Sequence, residues 1–184
     1  MNYSTIGHHT VEDRDNIDYI ENHAPFKCSN RRAWLSYGYY FWEQDLERAI
    51  EWGKKNYLNG YVIIECQLDC LNLFDLVGNR NHQKELIELS KILKDYFPEL
   101  SSKKQPISKI ISLLRTIEQR KKGIFSYNSI KAQDHPNRNL YKFVDNRNEI
   151  MDLNPRIQIC LFEKSDVLLP FRRIVYPEKY VTEN

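Results

Sequence analysis

Apolar and polar positions along the chain change period several times, and each change marks an expected element. The first apolar segment ends in Gly7-His8-His9-Thr10 and reads as a strand, followed by a helix and a loop. An aromatic block comes next, with Trp34, Tyr37, Tyr39, Tyr40, Phe41 and Trp42 inside nine residues. A helix has little use for rings on all its faces, whereas a strand shows alternate rings to two sides. Residues 38–41 are therefore expected to form a short strand or loop-strand. Leu46, Ala49, Ile50 and Gly53 then recur at helical spacing behind Asp45, which predicts an amphipathic helix over 45–55 with Asp45 as N-cap.

Asn59-Gly60 marks a turn, and the β-branched run 61–68 (YVIIECQL) predicts a buried strand. Two helices follow. In residues 82–97, Leu86, Leu89, Leu93 and Tyr96 share a face, and Pro98 ends the helix. In residues 106–122, Ile107, Ile110, Ile111, Leu114 and Ile117 repeat at helical spacing between Pro106 and Gly123. The polar linker 99–105 makes the two an αα-hairpin. Residues 124–130, 141–144 and 156–162 (RIQICLF) read as short strands, with Asp134-His135-Pro136-Asn137 breaking the chain between the first two. The tail from Pro177 is expected to be loosely held. This order predicts an α+β fold with a largely antiparallel sheet rather than a doubly wound parallel one. The whole chain, 1–184, is read as one domain carrying an inserted helical hairpin at about residues 80–122.

Composition narrows the class without naming a function. A chain of 184 residues buries roughly 70% of its unfolded surface, so it needs no metal or disulfide staple to fold. Its 41% hydrophobic and 28% charged residues are ordinary for globular domains, and a net charge of +2 neither demands nor excludes nucleic acid. No apolar run has the length of a membrane span and residues 1–7 do not look like a signal peptide, so the expectation is a cytoplasmic protein without a membrane partner. Cys28, Cys66, Cys70 and Cys160 form no zinc-finger spacing and are read as reduced structural thiols. Neither G-x-x-x-x-G-K-[ST] nor G-x-G-x-x-G occurs, nor H-E-x-x-H, nor G-x-S-x-G, and six glycines are too few for a glycine-rich cradle. Any nucleotide must be held by side chains and stacking surfaces.

Gly7-His8-His9-Thr10, a helix, and then Trp34-Leu35-Ser36-Tyr37-Gly38-Tyr39-Tyr40-Phe41-Trp42-Glu43 together resemble the ADP-ribosyltransferase fold. They are most similar to bacterial small-domain members with a His, Tyr and acidic triad. Ile157-Gln158-Ile159-Cys160 resembles the strand that closes those domains. The resemblance covers about residues 4–75 and 141–162 and leaves the helical hairpin unmatched. It implies two small antiparallel half-sheets enclosing an NAD cleft, with helices packed around them. It also implies transfer of ADP-ribose from NAD, as co-substrate, to a macromolecular acceptor (protein or nucleic acid), with nicotinamide released and no metal required. Bacterial domains of this sort are often toxins or defence effectors, for which an antitoxin or immunity protein is a natural partner.

By the same resemblance, His8, His9, Thr10, Tyr37, Gly38 and Tyr40 are the expected NAD-binding positions. Tyr40 would lay its ring against the nicotinamide, because the face of an aromatic ring attracts a planar cation. A carboxylate late in the chain would stabilise the positive charge that develops as the glycosidic bond breaks. The chain departs from the pattern at three points. His9 stands in place of a Gly, with a side chain that crowds the NAD backbone or points away from it. Ser36 stands in place of another Gly, which a surface turn tolerates. The expected Glu aligns with Asp145, one methylene shorter, with Glu149 as the other candidate and neither as the third possibility. Two other classes remain open: a module that binds NAD or ADP-ribose without turnover, and a nucleic-acid-binding protein whose aromatics stack bases. For the latter, Lys103, Lys104, Arg115, Arg120, Lys121 and Lys122 around the hairpin are either a solvated face or a phosphate-contacting surface. His135 lies in a loop within reach of an acceptor or in a solvated turn.

Overall fold

A computed structural model describes residues 3–31, 33–98, 105–134, 140–145, 147 and 149–181, without the side chains of 169–171. Lys103, Lys104, His135 and most of the 99–105 linker lie outside the described residues. The fold is α+β. Nine strands and four helices are described in the order β1 (Ser4–Glu12), α1 (Ile17–His23), β2 (Tyr39–Glu43), α2 (Leu46–Asn56), β3 (Tyr61–Asp69), β4 (Leu73–Asp75), α3 (Arg80–Tyr96), α4 (Ile107–Arg120), β5 (Ser129–Gln133), β6 (Tyr141–Lys142), β7 (Ile150–Met151), β8 (Ile157–Leu161) and β9 (Val167–Tyr176). Seven strands make one sheet in the order β4-β5-β8-β2-β1-β3-β9, while β6 and β7 form a separate hairpin. All pairings are antiparallel except β4 with β5.

The expectation of two half-sheets is corrected to a single sheet pinched at its centre. β1 meets β2 only at Gly7 opposite Glu43 and His8 opposite Trp42. Beyond His8, β1 pairs only with β3, and residues 39–41 of β2 pair only with β8. The strands part because each is drawn elsewhere. Thr10 Oγ1 donates to the Ala49 carbonyl of α2 at 3.0 Å, and the chain leaving β1 turns into α1.

Three apolar clusters pack around this sheet. Alternation along the strands sends Val11, Phe41, Ile64, Cys66, Leu68 and Ile159 to one face, where Ile20 of α1 covers them. On the other face, Trp42, Tyr61 and Ile63 pack with Ala49 of α2. Beside them Phe74, Ile130 and Cys160 pack with Leu89 and Leu93 of α3 and with Ile111, Leu114 and Ile117 of α4. Asp45 caps α2 by accepting from the Arg48 N–H at 2.8 Å, as its position implies.

The expected strand over 124–130 begins only at Ser129. Upstream of it the Glu118 carboxylate collects the N–H groups of Gly123, Ile124 and Phe125 at 3.0, 2.8 and 2.7 Å, removing donors that a ladder would need. The same backbone bonds, led by that from Phe125, hold the Glu118 carboxyl below its usual range. β9 carries Pro170, which argues against a central strand, and it sits at the sheet edge. Its register shifts between Leu168, opposite Gln67, and Arg172, opposite Cys66, so residues 169–171 fall between paired positions. For the described part of the tail, 177–181, the expectation of loose packing is corrected as well. Glu178–Tyr180 forms a turn of 3-10 helix, and the Tyr180 ring packs on the first cluster with its hydroxyl donating to Asp13 Oδ2 at 3.1 Å.

Candidate functional site

Where β1 and β2 separate, a cleft of roughly 780 Å3 opens through the sheet, a size suited to a small-molecule ligand. Its walls come from β1, the end of α2 (Trp52, Asn56), α1 and the segment after it (Tyr19, Phe26), and the aromatic loop (Trp34, Tyr40). Of its lining residues, His8, Trp42 and Gln158 are cross-strand neighbours in a row that continues beyond the cleft to Glu65 and Arg173. Cα pairing sets Arg173 opposite Glu65, Glu65 opposite His8, His8 opposite Trp42, and Trp42 opposite Gln158. In this row, polar groups flank an indole on one face of the sheet.

His8 lines the cleft, and its Nε2 lies 3.3 Å from Glu65 Oε2. The other Glu65 oxygen takes Nε and Nη2 of Arg173 at 2.9 and 2.8 Å. The other ring nitrogen, Nδ1, is buried and has no hydrogen-bond partner. His9 is fully engaged. Its Nδ1–H donates to the Tyr40 carbonyl at 2.8 Å and its Nε2 accepts from the Phe26 N–H at 3.1 Å. The ring therefore bridges the gap between the parted strands. Burial lowers its pKa to about 4, against the opposing effect of the bond to Tyr40, so the ring is neutral. Thr10 is also spent structurally, on α2.

Tyr40 lines the cleft, but its hydroxyl is committed to the preceding loop. It donates to the Ser36 carbonyl at 2.7 Å and accepts from the Leu35 N–H at 2.8 Å. Burial pushes its phenol pKa well above the usual range. Tyr37 is exposed and lies outside the cleft lining. Gly38 is required by packing, since a Cβ there would stand 2.3 Å from the Leu161 carbonyl oxygen. Ser36 is not on a surface turn: it is 2% exposed and holds φ at 127°, in the left-handed region that favours glycine. Asp145 and Glu149 are exposed in and beside the β6–β7 hairpin and do not line the cleft, and Glu149 pairs with Arg147 at 3.2 Å. His8, His9, Thr10 and Tyr40 are thus brought together, while Tyr37 and the two carboxylates stand apart.

Sequence reasoning missed Gln158 and Asp134, both of which line the cleft. Gln158 is 8% exposed, and its Oε1 accepts from the Trp34 indole N–H at 2.6 Å. The signal for it was present: a lone amide at an alternating position of an otherwise apolar strand. Asp134 follows β5, and its Oδ2 lies 3.2 Å from Arg156 Nη2. Glu43, adjacent to the aromatic strand, is instead buried in an ion pair with Lys131 at 2.6 Å. Cys66, Cys70 and Cys160 are free, buried thiols that burial pushes up to about 12, which makes them poor nucleophiles. Among the described residues, no three His, Cys, Asp or Glu side chains gather as a metal site would need, and no helix is long and apolar enough to cross a membrane. Comparisons of the chain with protein-family models, with curated proteins and with solved structures give no significant match.

Proposed function

We propose that the cleft binds NAD and that the chain is an ADP-ribosyltransferase, passing ADP-ribose to a macromolecular acceptor with release of nicotinamide. The observation that carries this reading is the meeting of the His8 segment, the aromatic block and the Gln158 strand at one cleft, although they lie far apart in sequence. The residues fit such a ligand. His8 carries a buried ring nitrogen without a partner, which a ribose hydroxyl can satisfy as donor or acceptor, and leaving it unsatisfied costs about 1–3 kcal/mol. Tyr40, Trp34 and Trp52 supply aromatic surface for planar rings.

A protein acceptor is favoured by the β6–β7 hairpin. It follows Asp134, precedes Arg156, and exposes Tyr141, Phe143, Ile150, Met151 and Leu153 on a short segment. Among the described residues, two carboxylates line the cleft, Glu12 and Asp134, while Asp145 and Glu149 do not. The role is assigned to Asp134, which stands at the end of β5 beside the Gln158 strand, whereas Glu12 is paired with Arg14 at 2.6 Å. Calorimetry with NAD, followed by chromatographic detection of nicotinamide in the presence of cell extract, tests the reading. Folded protein that binds no NAD at millimolar concentration removes it.

A second reading, retention of NAD or ADP-ribose without turnover, is favoured by one specific feature. Neither carboxylate that the resemblance offers, Asp145 or Glu149, lines the cleft, so neither stands where it could stabilise a developing cation. Tight NAD binding with no nicotinamide release under any acceptor condition selects this reading.

A further inference from the structure

The helical hairpin has no counterpart in the resemblance, yet α4 reaches the loop that forms one wall of the cleft. Arg115 Nη1 donates to the Tyr37 carbonyl at 2.9 Å and to Ser36 Oγ at 3.2 Å, and its guanidinium lies 4.1 Å from the centre of the Phe162 ring. Ser112, one turn earlier, shares a hydrogen bond with Ser36 Oγ at 3.1 Å. Ser36 in turn accepts the Tyr40 hydroxyl on its carbonyl, and the Tyr40 carbonyl accepts from His9. A continuous chain of hydrogen bonds therefore runs from α4, through the loop, to the first strand on the far side of the gap. Its middle member is strained: a serine at φ 127° persists only where its surroundings over-determine it. The Ser36 N–H reaches the Ala33 carbonyl at 3.3 Å, and the Cys160 thiol lies 3.9 Å from the Ser36 carbonyl oxygen. The side chain itself is held by Arg115 and Ser112, with Tyr40 on the carbonyl and near-complete burial around it. Two residues before Ser36 stands Trp34, whose indole donates to Gln158 across the cleft.

We propose that Arg115, with Ser112, is a positioning residue for the cleft. By holding Ser36 in its left-handed conformation it seats Trp34 and Tyr40 for a ligand that it does not touch. The planar fork matters as well as the charge, because one guanidinium makes two directed hydrogen bonds while stacking on Phe162.

The position of Trp34 provides a readout that needs no ligand. In an 15N correlation spectrum the Trp34 indole N–H, assigned by loss in Trp34→Phe, reports its bond to Gln158. Arg115→Ala and Arg115→Lys are both expected to shift that resonance and speed its solvent exchange, with Arg120→Ala as a silent control on the same helix. Ser36→Gly should rescue the Arg115→Ala spectrum, since glycine adopts this φ unaided. The inference is overturned if folded Arg115→Ala leaves the resonance and its exchange unchanged, or if Ser36→Gly brings no rescue. Should Arg115→Ala fail to fold, Ser112→Ala carries the same expectation in milder form. A second arm rests on the NAD reading: Arg115→Ala should weaken NAD binding about tenfold, and Ser36→Gly should restore it. A parent protein that binds no NAD overturns the NAD reading alone, because the indole measurement still decides the role of Arg115.

Discussion

His9 gives the most direct quantitative test of how the cleft is held open. The ring is neutral, donates from Nδ1 to Tyr40 and accepts at Nε2 from Phe26. Protonation would turn the Nε2 acceptor into a donor facing the Phe26 N–H. Its pKa falls from an ordinary 6.5 to about 4, first because of burial. The unfolded chain therefore binds a proton near pH 6.5 that the folded chain refuses until about pH 4. Stability from this group is complete above the unfolded value and is lost as pH falls through that window. Between pH 7 and pH 5 the linkage amounts to about 2 kcal/mol. For a chain of this size that equals a fall in melting temperature of roughly 4–8 °C. Urea unfolding at both pH values, on the parent and on His9→Gln, isolates the effect, because other titrating groups are common to both proteins. The variant is expected to be less stable at pH 7 and to lose about 2 kcal/mol less on acidification. Parallel pH profiles, or a His9 ring titrating near 6.5 by NMR, would refute the reasoning.

Three further outcomes are expected. Breaking the buried Glu43–Lys131 pair with Lys131→Met should cost about 3–5 kcal/mol in urea unfolding, because the remaining carboxylate is only 9% exposed, and a cost below about 1 kcal/mol would show that water reaches it. Gly53→Ala should destabilise by about 1–3 kcal/mol despite the better helix propensity of alanine, since the new Cβ meets the Tyr61 ring at 2.4 Å; a rise in melting temperature would contradict this. Asp134→Asn should cut nicotinamide release by about 10²–10³ while Asp145→Asn and Glu149→Gln leave it near the parent value, and single-turnover assays showing the reverse order would put the working carboxylate on the hairpin.

Much of the fold was legible because its signals are local. The stripe of Ile111, Leu114 and Ile117, the Asp45 cap and the β-branched run of β3 each carry their own periodicity or capping chemistry. The shortfalls come from pairings that periodicity does not encode. The backbone donors of residues 123–125 go to the Glu118 side chain, five to seven residues back in α4, and the proline-bearing run of β9 becomes a strand only because an edge beside β3, about a hundred residues earlier, was free. Arg115 looked like part of a solvated basic face until α4 was packed against Ser36 and Phe162.

The sequence by itself determined the class of fold, the helices of the hairpin and the two segments that border the cleft, because burial patterns repeat within a few residues. Tertiary structure alone decided which of their side chains remain available. Thr10, His9 and the Tyr40 hydroxyl are consumed by α2, Phe26 and the aromatic loop, while His8 keeps a free nitrogen and Gln158 is turned inward. Hydrogen-bonding capacity is a property of a residue, but whether it is already spent depends on partners as far off as Gln158 is from Trp34, more than a hundred residues along the chain.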